Sequence, residues 1–312
     1  MIYKSDGENI PVRRSLLWVS GNDITNMADA RKWGADVVTL DLEDTVTVAD
    51  KPKARKVITE ALRDCDFGTA ERWVRINGFH TPFTEKDLET IVPAMPDAVR
   101  LPKIRTAEDV RSLEKILERI EKEIGVEVGK TRVVLNIESA SGILNLKEIA
   151  MVSKRVIGMV LGGEDFTESL KISRPTRGLE LPMLYGRQHL IIVARAIGVM
   201  AFDSVYLDTS DMEGLRAETQ MVKELGMDGK NIIHPKQVPI VNEVFTPTAQ
   251  EVDFAIRAVR AYEEAEKKSQ RSTDGTSGVL PYVDGRFIGP PVVEKAWHVI
   301  KWARACGIVV RV

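Results

Sequence analysis

Cysteine is scarce in this chain of 312 residues: only Cys65 and Cys306 occur, far apart and outside any C-x-x-C pair. That excludes a disulfide framework and gives no zinc motif, so a reducing, cytoplasmic setting is expected. An excess of one charge is also missing. The 44 basic and 46 acidic side chains leave a formal charge of -2, which gives no electrostatic case for nucleic acid or a membrane surface as partner. No run of about 18 apolar residues is present, and Met1 to Asn9 contain no apolar signal-like stretch, so no membrane span or leader is expected. No G-x-G-x-x-G follows the first apolar run, and the Gly162-Gly163 pair stands in mid-chain, which argues against dinucleotide binding.

Hydrophobic residues make up 44% of the chain and charged residues 29%, a composition that supports a sizeable core. Short apolar runs recur about once per βα unit: Ser15 to Val19, Val37 to Leu42, Trp73 to Ile76, Ala98 to Leu101, Arg132 to Ile137, Val156 to Leu161, Ala201 to Leu207 and Asn231 to Ile233. Helical patterns lie between them. In Ala107 to Ile124, for example, Val110, Leu113, Ile116, Leu117 and Ile120 repeat at spacings of three and four. Eight such units predict a parallel (β/α)₈ TIM barrel over residues 1–245. Residues 246–312 are the surplus: a long helix over Thr248 to Lys268, a polar linker over Lys267 to Gly278, and a segment from Val279 to Val312 with a helix near Val292 to Ala305. A helical piece joined to a barrel by a mobile linker is expected to act as a lid.

Carboxylates end several of the apolar runs, at the strand edge where α/β folds place their chemistry. Glu138 follows Val133 to Ile137, and Asp165 follows Val156 to Leu161 one unit later. Two acids converging from adjacent strands are hard oxygen ligands with room left for substrate and water, which suits Mg²⁺. Each acid has a structural alternative at the start of the helix that follows it. Asp41, Glu43 and Asp44 crowd the end of the second run. Arg75 stands inside an apolar strand, where it requires an anion: either Asp41 or Glu43 as an internal salt bridge, or a substrate carboxylate or oxyanion. Lys103 occupies a similar strand end, and His234 ends the last run, where a hydrogen-bonded structural role is the commoner one.

At these residues the sequence resembles the citrate lyase beta subunit and malyl-CoA lyase family, the metal-dependent CoA-ester lyases related to the HpcH/HpaI aldolases. The matching pieces are Arg14-Ser15-Leu16-Leu17, Leu40-Asp41-Leu42-Glu43-Asp44-Thr45-Val46, Val74-Arg75-Ile76-Asn77, Leu101-Pro102-Lys103, Ile137-Glu138-Ser139-Ala140, Gly163-Glu164-Asp165-Phe166 and Lys230-Asn231-Ile232-Ile233-His234-Pro235. The resemblance implies Mg²⁺ held by Glu138 and Asp165, and a substrate site of Arg75, Glu138, Gly163 and Glu164. It implies Glu43 or Asp44 orienting water, and Arg14 and Lys103 as candidates for the CoA phosphates or thioester. The reaction it implies is reversible cleavage of a 3-hydroxyacyl-CoA thioester into an acyl-CoA and an oxo acid, in a homotrimer or homohexamer whose C-terminal segments close neighbouring sites. Two alternatives stand beside it: an aldolase on free hydroxy-oxo acids, and a subunit active only in an acyl-carrier-protein complex.

The chain departs from the family at two places. Relatives carry an Asp in the C-terminal segment that is thought to act as acid or base, and Gly289 occupies that position here, which leaves Asp284 from a shifted position, water, a barrel carboxylate or a different substrate as the alternatives. Ser20 stands where relatives usually have Pro.

Overall fold

The apolar runs become strands that alternate with helices in chain order. In the computed structural model, which describes residues 10–174, 181–271 and 281–312, the first half runs β1 (Ser15–Ser20), α1 (Ile24–Trp33), β2 (Val37–Asp41), α2 (Lys51–Asp64), β3 (Glu71–Arg75), α3 (Thr84–Ile91), β4 (Ala98–Leu101), α4 (Ala107–Glu123) and β5 (Arg132–Ile137). It continues with α5 (Ala140–Leu144), α6 (Leu146–Ala150), β6 (Val156–Leu161), α7 (Gly163–Ser169), α8 (Leu184–Ile197), β7 (Met200–Asp203), α9 (Met212–Leu225), β8 (Gly229–Ile232) and α10 (Val238–Phe245). Strands β1 to β8 pair in parallel in sequence order, and β1 closes on β8 through Leu16 opposite Asn231. The expected (β/α)₈ barrel is the observed fold.

Local chemistry explains the elements. Helix α4 starts at a capping box between Thr106 and Asp109 and buries Val110, Leu113, Leu117 and Ile120 along one stripe. Helices α1, α8 and α9 stop at Gly34, Gly198 and Gly226, each left-handed, which glycine adopts without a Cβ penalty. One strand is shorter than the sequence predicts: β7 ends at Asp203, because the next residues turn away to form the loop in which the Tyr206 hydroxyl donates to Asp211 at 2.7 Å.

The barrel interior is layered. Leu16, Val37, Trp73, Ala98, Val134 and Phe202 form a dry apolar floor. Since side chains alternate along a strand, the next inward positions carry Trp18, Thr39, Arg100, Asn136 and Asn231, and the last carry Asp41, Arg75 and Glu138. Polarity therefore rises toward the C-terminal ends of the strands, which is the mouth.

Contacts divide the described residues into two units, Arg13–Phe245 and a second from Thr246 to Val312 that also takes in residues 10–12. The second unit contains α11 (Ala249–Arg271), a hairpin of β9 (Tyr282–Val283) and β10 (Arg286–Phe287), and α12 (Pro290–Ala305), with Ala255, Ala258, Val259, Ile288, Ile300 and Ala303 in its core. Lys267 to Arg271, expected to open the linker, continue α11; the rest of that linker lies outside the described residues. Among the described residues no helix is long and apolar enough to cross a membrane.

Candidate active site

A cavity of about 210 Å³ opens at the mouth, lined by Trp18, Arg75, Arg100, Glu138 and Asp165 among others. Asp41, the last residue of β2, is fully buried and points at β3, where Arg75 grips both of its oxygens at 2.6 and 2.8 Å. The same carboxylate accepts from the Glu43 amide and from the Thr45 amide and hydroxyl, fixing the turn that follows. Burial opposes its ionisation, but Arg75 and these donors outweigh burial and hold Asp41 below the usual carboxylate range. The Asp41 salt bridge anticipated for Arg75 is therefore present, and it leaves Nη1 of Arg75 over Glu43 at 2.8 Å and Asp44 at 3.1 Å. Trp18 stacks against the guanidinium, with its ring centre 4.4 Å away.

Glu43 is a different kind of acid. Its oxygens lie within ion-pair distance of Arg75 and of Lys103, at 3.2 Å, yet neither makes an aligned hydrogen bond. Burial, together with the nearby Glu138 and Asp44, exceeds the pull of Arg75 and pushes its carboxyl up to about 7. Lys103 stands in the left-handed region (φ 53°), unusual for a residue with a side chain, and this bend directs its backbone amide to Oε2 of Glu138 at 2.9 Å. Its ammonium faces Glu43, Asp44 and Asp165, so it bridges acids at the mouth.

Glu138 and Asp165 converge as their spacing predicts. Glu138 is buried and accepts from the Lys103 amide and from Asn136 at 3.1 Å. Neither acid is itself the cap, since Ser139 caps α5 and Gly162 stands at the cap of α7, although Asp165 lies in the first turn of α7, where an acid complements the helix dipole. A Cβ on Gly162 would meet Cγ of Glu138 at 2.4 Å, so only glycine lets the end of β6 approach that carboxylate so closely. Burial pushes the Glu138 carboxyl up, and the charge of Asp165 adds to the effect. Burial and the charge of Asp165 penalise the ionised Glu138, so the pair forms a site that a dication would relieve. Among the described residues no three His, Cys, Asp or Glu side chains are grouped to hold a metal alone. A cation here would thus be held by two carboxylates and completed by ligand and water, as Mg²⁺ commonly is.

The remaining predicted residues scatter. Gly163 lines the cavity, but its amide is engaged by the Ser204 hydroxyl at 3.0 Å. Glu164 is exposed and faces Arg174 at 3.2 Å. His234 has the structural role, its Nδ1 accepting from the Lys236 amide. Arg14 requires a correction: it precedes β1 and so lies at the opposite, N-terminal rim, where Nε and Nη2 hold Asp36 at 2.8 and 2.9 Å. That end of the barrel faces away from the carboxylates. Asp284 belongs to the second unit, in the β9–β10 turn, with both oxygens held by Arg257, which keeps its carboxyl below the usual range.

Sequence reasoning missed Trp18, Arg100, Asn136, Arg174, Ser204 and Asn231, all of which line the cavity. The available signal was a polar residue at an inward position of an otherwise apolar strand, as in Ala98-Val99-Arg100-Leu101.

Known proteins resemble this chain over most of its length. Residues 14–235 match the family model described as HpcH/HpaI aldolase/citrate lyase. The citrate lyase subunit beta of Leuconostoc mesenteroides subsp. cremoris is 42% identical over 301 residues, 96% of each chain. A (3S)-malyl-CoA thioesterase of Cereibacter sphaeroides is 36% identical over 276 residues, covering 88% of this chain and 89% of its own. Among solved structures, the protein CitE of Mycobacterium tuberculosis in complex with magnesium, acetoacetate and coenzyme A aligns with a TM-score of 0.74 at 27% identity, covering 96% of this chain and all of that one. The citrate lyase beta subunit of the same organism, complexed with oxaloacetate and magnesium, aligns over 77% of this chain and 99% of its own with a TM-score of 0.64 at 31% identity.

Proposed function

The chain belongs to the HpcH/HpaI aldolase/citrate lyase family, and from that premise we propose that it is a Mg²⁺-dependent carbon-carbon lyase cleaving a 3-hydroxyacyl thioester, such as a CoA ester, into an acyl thioester and an oxo acid. The observation that carries this reading is the meeting of Glu138, just after β5, and Asp165, in the first turn of the helix that follows β6, in a cavity that Arg75 also lines. Those two carboxylates would hold the cation. When bound, Mg²⁺ would supply Lewis-acid polarisation of the oxygen that becomes the oxo group.

The other steps fall to side chains. Cleavage requires that the 3-hydroxyl lose its proton, that the electrons of the C2–C3 bond pass to the thioester as an enolate, and that the enolate carbon gain a proton. Arg75, held rigid by Asp41 and Trp18, offers a fixed positive charge to the oxygen on which charge develops. Asp44 lines the cavity, and Glu43 beside it has a carboxyl near neutrality, the range in which a group both accepts and returns a proton. Lys103, bridging the two, would keep that exchange oriented.

A lid role for residues 246–312, and a homotrimer or homohexamer in which a neighbour supplies that lid, belong to the same proposal and rest on the family resemblance. Asp284 would enter with the lid, but its pairing with Arg257 makes it a weaker base than Glu43.

A coupled thioester-cleavage assay over a panel of malyl, citramalyl and related hydroxyacyl esters tests the reading. EDTA should abolish turnover and Mg²⁺ restore it. Metal-independent turnover, or no turnover across the panel, would overturn it.

A further inference from the structure

We propose that Arg100 is a specificity residue that supplies the positive charge for a second carboxylate of the ligand, distinct from the carboxylate beside the oxo group. The inference rests on the lyase reading above and narrows its substrate class to oxo acids, and their parent thioesters, that carry this additional acid.

Arg100 occupies the inward position of β4 one layer below the mouth, fully buried, and it lines the cavity. Its hydrogen bonds run to Asn136 Oδ1 (3.2 Å from Nε and 3.1 Å from Nη2), Thr39 Oγ1 (3.0 Å) and Asn231 Oδ1 (2.9 Å). All three acceptors are neutral. A guanidinium offers five N–H groups, so one Nη2 hydrogen has no acceptor among the described residues. The other cations lining the cavity are paired, Arg75 with Asp41 and Arg174 with Glu164, and so is Lys103 at the mouth, with Glu43. Among the described residues Arg100 has no carboxylate within ion-pair distance. Burial and the charge of Arg75 lower it to about 9, so it stays protonated at neutral pH.

Amide and hydroxyl dipoles solvate such a charge without cancelling it, and Trp18, its ring centre 4.2 Å away, adds a cation–π contact but no net negative charge. An uncancelled buried cation is expensive in a sealed core. In a cavity wall the missing anion can arrive with the ligand. Asn136 and Asn231 line the cavity beside Arg100, so a carboxylate seated on them would meet the guanidinium where water is excluded and attraction is strong.

The test is titration calorimetry of the Mg²⁺-loaded protein with oxaloacetate, against pyruvate and 2-oxobutyrate, which lack the second carboxylate. Wild type should bind oxaloacetate tighter by about tenfold or more. Arg100→Gln should bring that ratio close to one while leaving pyruvate affinity nearly unchanged. Equal wild-type affinities, or proportional weakening of all three ligands in the variant, would overturn the inference. Should Arg100→Gln fail to fold, Asn231→Asp gives Arg100 a resident carboxylate and should also erase the preference; a retained preference counts against the proposal. Binding of none of the three acids by wild type would instead sink the lyase reading, and this inference with it.

Discussion

Behind β7 and β8, Arg187, Asp203, Glu218 and Lys230 form a cluster of two cations and two carboxylates, each almost completely shielded from solvent. Asp203 accepts from Arg187 at 2.7 Å and from Lys230 at 2.6 Å, and Lys230 also donates to Glu218 and to the Ser204 carbonyl. At the mouth of β2 to β6, five carboxylates (Asp41, Glu43, Asp44, Glu138 and Asp165) stand with two ion-paired cations, Arg75 and Lys103, and with Arg100, which pairs with none of them. Both groups are built from the same residue types in one barrel. In the first, burial opposes ionisation of Asp203, but Arg187 and Lys230 hold it well below the usual range. In the second, burial wins at Glu43 and Glu138 and both are pushed up. Balanced, dry charge locks elements together, whereas unbalanced charge open to a cavity leaves room for ions that the protein does not itself supply.

The sharpest way to break this comparison is Asp203→Asn. Removing one carboxylate from the closed cluster strands two buried cations on Glu218, and stability should fall by about 3–5 kcal/mol. Turnover per folded molecule should stay close to wild type. Denaturant unfolding and an active-site-normalised assay together decide it: an intact fold with lost turnover would mean that this cluster, too, belongs to the chemistry. The converse change, Glu138→Gln, should lower kcat/KM by about 10²–10³-fold, the scale of losing one preorganised electrostatic group. The fold should hold, since burial already penalises the ionised Glu138. Calorimetry with Mg²⁺ should show the binding isotherm weakened in step, and undiminished metal affinity would remove Glu138 from the metal site.

Much of this contrast could be read before any coordinates. Strands Ala98–Leu101, Arg132–Ile137 and Val156–Leu161 begin and end where the apolar runs do, because a parallel strand buried on both faces is apolar throughout and stops at its first carboxylate or turn. Glu138 and Asp165 were legible for the same reason. Arg14 was misplaced although strand polarity settles it: a residue before a barrel strand lies at the rim opposite the mouth. Arg100, Asn136 and Asn231 were hidden more deeply. Each is one polar position inside an apolar run, and Arg100 and Asn231 are 131 residues apart, so only barrel closure brings them into contact. The Arg187 cluster was invisible because Lys230 and Asp203 point outward from adjacent strands toward α8 and α9, and which helix residues meet them depends on packing that no local pattern encodes.

The two clusters should also respond oppositely to pH, with the smallest of the three effects. Asp203, whose carboxyl is depressed, stabilises the fold above the unfolded carboxylate range, and that contribution is lost on acidification. Glu43 has the reverse sign. Its folded value of about 7 exceeds the ordinary 4.5, so between those values the folded protein binds more protons than the unfolded chain, and stability declines as pH rises through the interval. At about 1.4 kcal/mol per pH unit the loss attributable to Glu43 is about 2–3 kcal/mol at most. Urea unfolding in EDTA, repeated across pH 4.5 to 7, should show this decline in wild type and a flatter profile in Glu43→Gln, with saturating Mg²⁺ flattening the wild type as well because a bound dication favours the ionised mouth. An identical slope in wild type and Glu43→Gln would mean that the charges of the mouth are balanced without a ligand, and the distinction between the two clusters would vanish.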